Sequence, residues 1–383
     1  MSTAHPPTAQ APMRTVLSHV IVPILMGLIM CAAYLGGFHK PSPHHVPVAV
    51  VGQAQQAGPL AAKVQDAFGD EADVRTIATP EQATDQLKHL KISAAYVPGD
   101  GKAELLTAGG ASDTTKSVVE KMFRPVAEKQ HDALTVKDVA PLTADDPAGQ
   151  NGFFFLVALT VAAYATSIAI GAAAASRPFA QRIALAAGAA VVISTIELAI
   201  AAWGYDMFGG HALATWALSL LYTAGVLTVG VGLHPIIGRF ATLLYSAIFV
   251  ALNFTSSGGV FAPVMQPSFF GWLHDFWIGS GFVEALRRII YFPDASIAGP
   301  LTILFGWLVV GLLCLAAGCA VEQRRVARAR ELEEAASSPV GRHAEQAHQD
   351  ERDELDPEIV AIPLEVDERI EIGWIAWRYA WLA

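Results

Sequence analysis

Apolar runs of roughly 20 residues recur along this chain, separated by short polar joints. A run of that length crosses the hydrocarbon of a bilayer as one helix. Six are expected, at residues 16–37, 153–175, 183–203, 212–233, 297–321 and, more weakly, 240–254. The first follows Arg14, is too long for a signal-peptide core and has no small-residue cleavage site before Lys40, so it reads as an uncleaved anchor. Between the first run and the second the period changes. Residues 46–142 alternate short β-rich stretches with amphipathic helical ones, the pattern of a small α/β domain. The expected fold class is therefore an α-helical integral membrane protein with six transmembrane helices, plus a small extracytoplasmic α/β domain inserted between helices 1 and 2. Its divisions are a cytoplasmic N-terminus (1–15), the first span (16–37), the extracytoplasmic domain (38–150), a five-helix membrane domain (151–321) and an acidic cytoplasmic tail (322–383).

Within the inserted domain, strands are expected at 46–51 and 74–77, with a helix near 58–68 between them. Thr79 offers an N-cap, Pro80 a first helical position and Glu81 a first-turn acid, predicting a helix over 80–90. The turn at 98–102 predicts a hairpin of 92–97 with 103–107. A long helix over 112–130, with Pro125 as a kink point, and a last strand at 134–139 complete it.

Composition agrees with the membrane reading. Apolar residues make up 53% of the chain and charged ones 16%, well under the roughly 25% usual in soluble domains. The formal net charge of -10 is unevenly placed. Residues 41–150 hold 10 Lys/Arg and 15 Asp/Glu, residues 322–383 hold 8 and 15, and residues 151–321 hold only five of each. An acidic balance does not favour nucleic acid, whose phosphates need a basic footprint. Arg14, Arg177, Arg182, Arg239 and the group Arg324, Arg325, Arg328 and Arg330 all fall on one side if six spans alternate, whereas loop 204–211 has no Lys or Arg. The positive-inside rule then places both termini in the cytoplasm and residues 38–150 and 256–296 outside. Arg287 and Arg288 resist this rule. Glu284, three and four residues upstream, permits helical ion pairs, and an interfacial helix over 279–291 accommodates all three.

Few residues carry candidate chemistry. Glu197 lies in the middle of the third span, where a carboxyl is costly and by default a functional hypothesis, as a substrate or proton contact. A structural hydrogen bond to a neighbouring Ser, Thr or Tyr222 is the equal alternative. Ser256, Ser257, Gly258, Gly259, Pro263 and Pro267 interrupt the fifth run, and non-helical backbone at that depth must be surrounded by protein or line a cavity. Phe269, Phe270, Trp272 and Trp277 follow and suit the headgroup level. Glycines at 171, 225, 230 and 232 suit close helix packing, and His234 with Pro235 is expected to end the fourth span. Residues 109–117 look superficially like a phosphate loop, but Thr115 stands where Gly must precede the Lys, so capping by Ser112 or Asp113 is the better reading. His39, His44 and His45 lie close together without a fourth ligand, so no metal site and no cofactor is expected. The sequon at Asn253 sits at a span end and is uninformative. The three cysteines lie in apolar runs and frame no disulfide scaffold. No nucleophile–base pairing, metalloprotease motif or paired Asp occurs in the spans, so no enzyme activity is expected.

The span ending in Ser256, Ser257, Gly258 and Gly259, followed by Pro263, Pro267–Phe270, Trp272-Leu-His274 and Glu284-Ala-Leu-Arg287, resembles the YhgE/Pip family (phage infection protein and relatives), itself similar to type-2 ABC-exporter permeases. In motif the likeness covers residues 253–288; in layout it covers most of 14–321. It implies a bacterial plasma-membrane permease, with export of an unidentified substrate. The chain has no Walker motif, so ATP-driven transport requires a separate ATPase subunit, met through residues 1–14, 176–182 and 234–239. Expected partners are the lipid bilayer and, left open, a second copy of the chain and that ATPase. The competing expectation is a non-transporting envelope protein that displays residues 40–150 for binding or assembly. In the tail, 322–336 continues the last span as a charged helix whose Arg group suits the anionic inner leaflet. Residues 337–357 read as polar and disordered, and Trp374, Trp377, Tyr379 and Trp381 mark an aromatic end with no assigned role.

Overall fold

A computed structural model describes residues 13–337. The N-terminal residues 1–12 and the tail from 338 onward, with the expectations placed on them, lie outside the described residues. The chain is mostly helical with one small sheet. Among the described residues, five helical stretches are long and apolar enough to cross a membrane: Val20–Phe38, Asn151–Ala173, Phe179–Gly204, Ala212–Ser256 and Ala298–Leu332.

After α1 (Met13–Phe38) the chain enters the sheet domain through β1 (Val46–Val51), α2 (Ala54–Phe68), β2 (Ala72–Ile77), α3 (Pro80–Lys88), β3 (Ala94–Val97), β4 (Lys102–Thr107), α4 (Asp113–Lys129) and β5 (Ala133–Asp138). The strand order is β2-β1-β3-β4-β5; β1 pairs in parallel with both neighbours, β3 and β4 form the antiparallel hairpin, and β5 runs parallel to β4. β1 is an interior strand and almost wholly buried, which explains why it is continuously apolar rather than alternating. One face, Val46, Val48 and Val50, packs under α2 and α4, with Phe123 stacked on Tyr96. The other, Ala49 and Val51, packs under α3 at Ala83 and Leu87. Thr79 and Ser112 cap α3 and α4, their hydroxyls accepting from the Gln82 and Thr115 amides at 3.3 and 3.2 Å.

The bundle is built from α5 (Asn151–Ala173), α6 (Phe179–Ala199), α7 (Ala212–Ile237), α8 (Ala241–Tyr245) and α9 (Asn253–Ser256), then α10 (Ser268–His274), α11 (Ile278–Tyr291) and α12 (Ala298–Ser337). Two π-helical stretches, Ile200–Gly204 and Ser246–Leu252, extend α6 and join α8 to α9. The stretch Ala212–Ser256 is not one straight rod. Gly238, at φ +52°, ends α7, and Tyr245 then hydrogen-bonds back to the Gly230 carbonyl while Asn253 reaches Tyr222. Each step forward after the turn meets a step back before it, so the two limbs are antiparallel. The expected stop at His234 and Pro235 is displaced to this glycine. Proline in the last turn removes only one amide, and the Gly238 amide still closes on the His234 carbonyl.

The tightest contact in the bundle is α7 against α12, and glycines permit it. A Cβ on Gly232 would reach the Cys314 carbonyl oxygen at 2.8 Å, and one on Gly311 would reach the Val229 amide at 3.2 Å. Without a hydrophobic drive between helices in lipid, such close backbone approach is a main source of association. At the end of the bundle away from the sheet, Arg182 is buried, donates to the Ala175 and Arg177 carbonyls and pairs with Glu322, which ties the start of α6 to α12.

Overpacking this seam should destabilise the bundle by about 1–3 kcal/mol. The variant Gly232→Leu is expected to melt several degrees lower than the parent in detergent. Gly188→Leu, where a side chain enters open space, should melt with the parent.

Candidate functional site

The helix that ends at Ser256 releases carbonyl groups that no further helical turn can satisfy. Three side chains from later in the chain take them. Gln266 donates its amide to the Thr255 carbonyl at 2.9 Å, His274 its Nδ1–H to that of Ser256 at 2.9 Å, and Arg287 its Nη2–H to that of Gly258 at 2.8 Å. Since a carbonyl only accepts, Nδ1 of His274 carries the proton. Gly258 adopts φ +73°, and a Cβ there would sit 2.7 Å from the His274 ring. A Cβ on Gly259 would meet Phe153 of α5 at 2.6 Å. Ser257 closes the turn, donating to the Phe254 carbonyl and accepting from the Gly259 amide. Pro263 starts a single 3-10 turn and Pro267 stands at the entry to α10.

Two of these donors, Arg287 and His274, gather around one carboxylate. Glu284 pairs with Arg287 and Arg288 and lies 4.0 Å from His274 Nε2. The side chains are only 17%, 12%, 21% and 14% exposed respectively, so the pairs are largely desolvated. Burial alone would raise the Glu284 carboxyl, but Arg287, His274 and Arg288 outweigh it and hold the group below its ordinary range. Burial pushes the His274 ring below its ordinary value, against the opposing pull of Glu284. Arg288 also donates to the Ser296 carbonyl at 2.9 Å, and its Nε is buried without an acceptor.

The sequence separates the break at residues 256–259 from the helix carrying Glu284, Arg287 and Arg288; the structure brings them together. α11 packs its apolar side on the bundle, with Phe282 on Tyr222 and Phe155 and with Gly281 against Pro300 and Ile303 of α12. Small residues at 279–281 let neighbouring elements close over it.

The sheet domain covers this cluster. The amides of Ser42 and His44 donate to the carbonyls of Met265 and Val264. Phe292 and Ala295, just beyond α11, complete the core beneath α3. The Tyr291 hydroxyl donates to Asp146 at 2.9 Å, while the other Asp146 oxygen accepts from the Gln150 and Asn151 amides and caps α5. Between domain and bundle lies a cleft of about 240 Å³ bordered by Lys116, His274, Glu284, Arg287 and Arg288. Sequence reasoning missed Gln266, Tyr291 and Phe292, because nothing local marks a residue whose partner is over 10 positions away, and it missed Asp146, whose capping of α5 is local but whose bond to Tyr291 is not. His274 was visible only within the family-like motif.

Glu197 stands apart from this cluster. It lies two residues before the end of α6 proper and seven before Gly204, in the sheet-bearing half of its span but nearer the span's middle than its end. Its Oε2 is buried and has no hydrogen-bond partner. Tyr222 is instead occupied by Thr160 at 2.6 Å and Asn253 at 2.9 Å, and Ser194 by Thr223. Asn253 is fully buried, so its sequon is closed to modification in this fold. The three linker histidines are spent separately, on Leu35, Ser42 and Asp73, and among the described residues no three His, Cys, Asp or Glu are grouped to hold a metal ion. Compared with known proteins, the chain matches no family model, no curated protein and no solved structure.

Both depressed pKa values act in one direction with pH. The unfolded chain takes up the proton first, so each contribution is complete above the ordinary value and lost as pH falls through the folded one. For His274 the loss starts below about 6.5, and for Glu284 below about 4.5. The melting temperature in detergent should therefore fall between pH 6.5 and 5. His274→Gln, which keeps a neutral donor, should flatten that fall while leaving the loss below pH 4.5.

Proposed function

We propose that the chain is an export-type permease of the bacterial plasma membrane. In this reading it crosses six times, the two limbs of Ala212–Ser256 counting separately. Both termini are cytoplasmic and residues 38–150 face outside. The permease works as a homodimer or with a separate ATPase subunit. The arginines support the orientation: Arg177, Arg182 and Arg239 gather at the bundle end opposite the sheet, as the positive-inside rule requires of a cytoplasmic face. The YhgE/Pip-like motif supports the class of protein.

One observation carries the proposal. Glu197 holds a carboxylate oxygen buried in an apolar span with nothing to bond it. An orphaned buried acceptor costs about 1–3 kcal/mol, more when charged, and ionisable groups in spans cluster on substrate and ion pathways. No structural partner explains this one.

A second reading, an envelope protein acting through its outer domain, draws on a different observation. The cleft lined by charged side chains lies between domain and bundle, not among the spans.

Export by everted vesicles or whole cells separates the two. In a strain lacking the gene, the parent protein should restore export of at least one amphiphilic compound from a panel, and Glu197→Gln at equal expression should reduce it tenfold or more. Full restoration by Glu197→Gln would remove the support for a permease.

A further inference from the structure

The cleft between the sheet domain and the bundle has the properties of an oxyanion site. One wall is α11, with Arg287 and Arg288; the other is the start of α4, with Ser112, Thr115 and Lys116. Lys116 is paired with Asp138 at 2.8 Å, and the Asp138 carboxylate is further held by the Gly109 and Ala140 amides. Glu284 is shared between Arg287 and Arg288. Three buried or half-buried cations thus face two carboxylates, and the cluster keeps one positive charge in excess. Of the other acids nearby, Asp113 and Asp275 are exposed, and the buried Asp146 lies outside the cleft lining, held by the Tyr291 hydroxyl and the Gln150 and Asn151 amides. A buried excess charge is unfavourable unless a counter-charge joins it. Arg288, on the same wall, also has a buried Nε without an acceptor, so its guanidinium is not fully satisfied by Glu284 and Ser296.

The geometry points to a phosphoryl group as the missing counter-charge. We propose that this cleft binds one phosphoryl-bearing ligand, held between Arg288 on α11 and Ser112 and Lys116 on α4. A carboxylate is best taken edge-on by a free arginine fork. Here the outer nitrogens of Arg288 are committed to Glu284 and Ser296. Single donors arriving from two opposed walls suit a tetrahedral oxyanion instead. The start of α4 adds its positive helix end on the same side. The cleft is large enough for a phosphoryl group with a small head attached, about eight times the volume of one water. Two sources share this chemistry, a phospholipid headgroup and a free phosphorylated solute. The inference does not rest on the transport reading, since binding is measured without flux.

Purified full-length protein, in neutral detergent and in phosphatidylcholine nanodiscs, would be titrated with inorganic phosphate, glycerol 3-phosphate, succinate and phosphatidylglycerol. Saturable binding of glycerol 3-phosphate or phosphate, weakened at least tenfold by both Arg288→Gln and Lys116→Gln, supports the site with a free solute as its source. Binding of phosphatidylglycerol alone, weakened equally, supports it with a lipid source. Lys116→Gln is half-exposed at the cleft edge and guards against a variant that fails to fold; each variant's melting temperature is recorded alongside. Binding of none of the phosphoryl probes, affinities unchanged in folded variants, or succinate bound as tightly as phosphate would each overturn the assignment.

Discussion

A helix that stops inside an apolar bundle leaves carbonyls that water cannot reach, and the architecture of this protein follows from how those carbonyls are satisfied. At the end of α9 the carbonyls of Thr255, Ser256 and Gly258 are taken by Gln266, His274 and Arg287. A buried guanidinium needs an anion, and Glu284 provides it for Arg287 and Arg288 together. Buried ion pairs of this kind seldom add much net stability, but removing one partner strands the other, at about 3–5 kcal/mol. The cluster is therefore a specificity device. It fixes where the chain leaves the bundle and at what angle α10 and α11 return.

The sheet domain is positioned by the same segment. Residues 264 and 265 hold the linker that leads from α1, and residues 291–295 enter the core beneath α3. Asp146 links the end of α11 to the start of α5. Domain and bundle thus share a hydrophobic core and a polar junction, rather than being joined by a flexible stalk. The cleft left at that junction collects charge from both sides, which makes it the natural place for a ligand.

Much of this was legible in the sequence, for physical reasons that differ by region. The apolar runs announced the long helices because lipid demands length and composition, both local properties. The sheet elements were visible through caps and turns: Thr79, Ser112 and Gly101 act within a few residues of themselves. The pairing of Glu284 with Arg287 and Arg288 followed from helical spacing. What the sequence did not reveal was the partner of the break, because Gly258 and Arg287 meet across 29 residues. Which elements α11 packs on was hidden for a similar reason, because Phe282 meets Tyr222 and Phe155 only in the folded bundle. The end of α7 is expected about one turn early, at His234 and Pro235, because a proline signals a helix end more loudly than the glycine that makes it.

Glu284 gathers Arg287 and His274, two of the three donors that close the break, and through them the segment that seats the sheet domain. Hydrogen–deuterium exchange on the full-length protein in detergent, parent against Glu284→Gln, tests it most directly. The account predicts faster exchange in two separate segments at once, residues 257–266 and 291–296, with the sheet strands β1 and β3 unchanged. Unaltered exchange at both segments in a folded Glu284→Gln protein would contradict it.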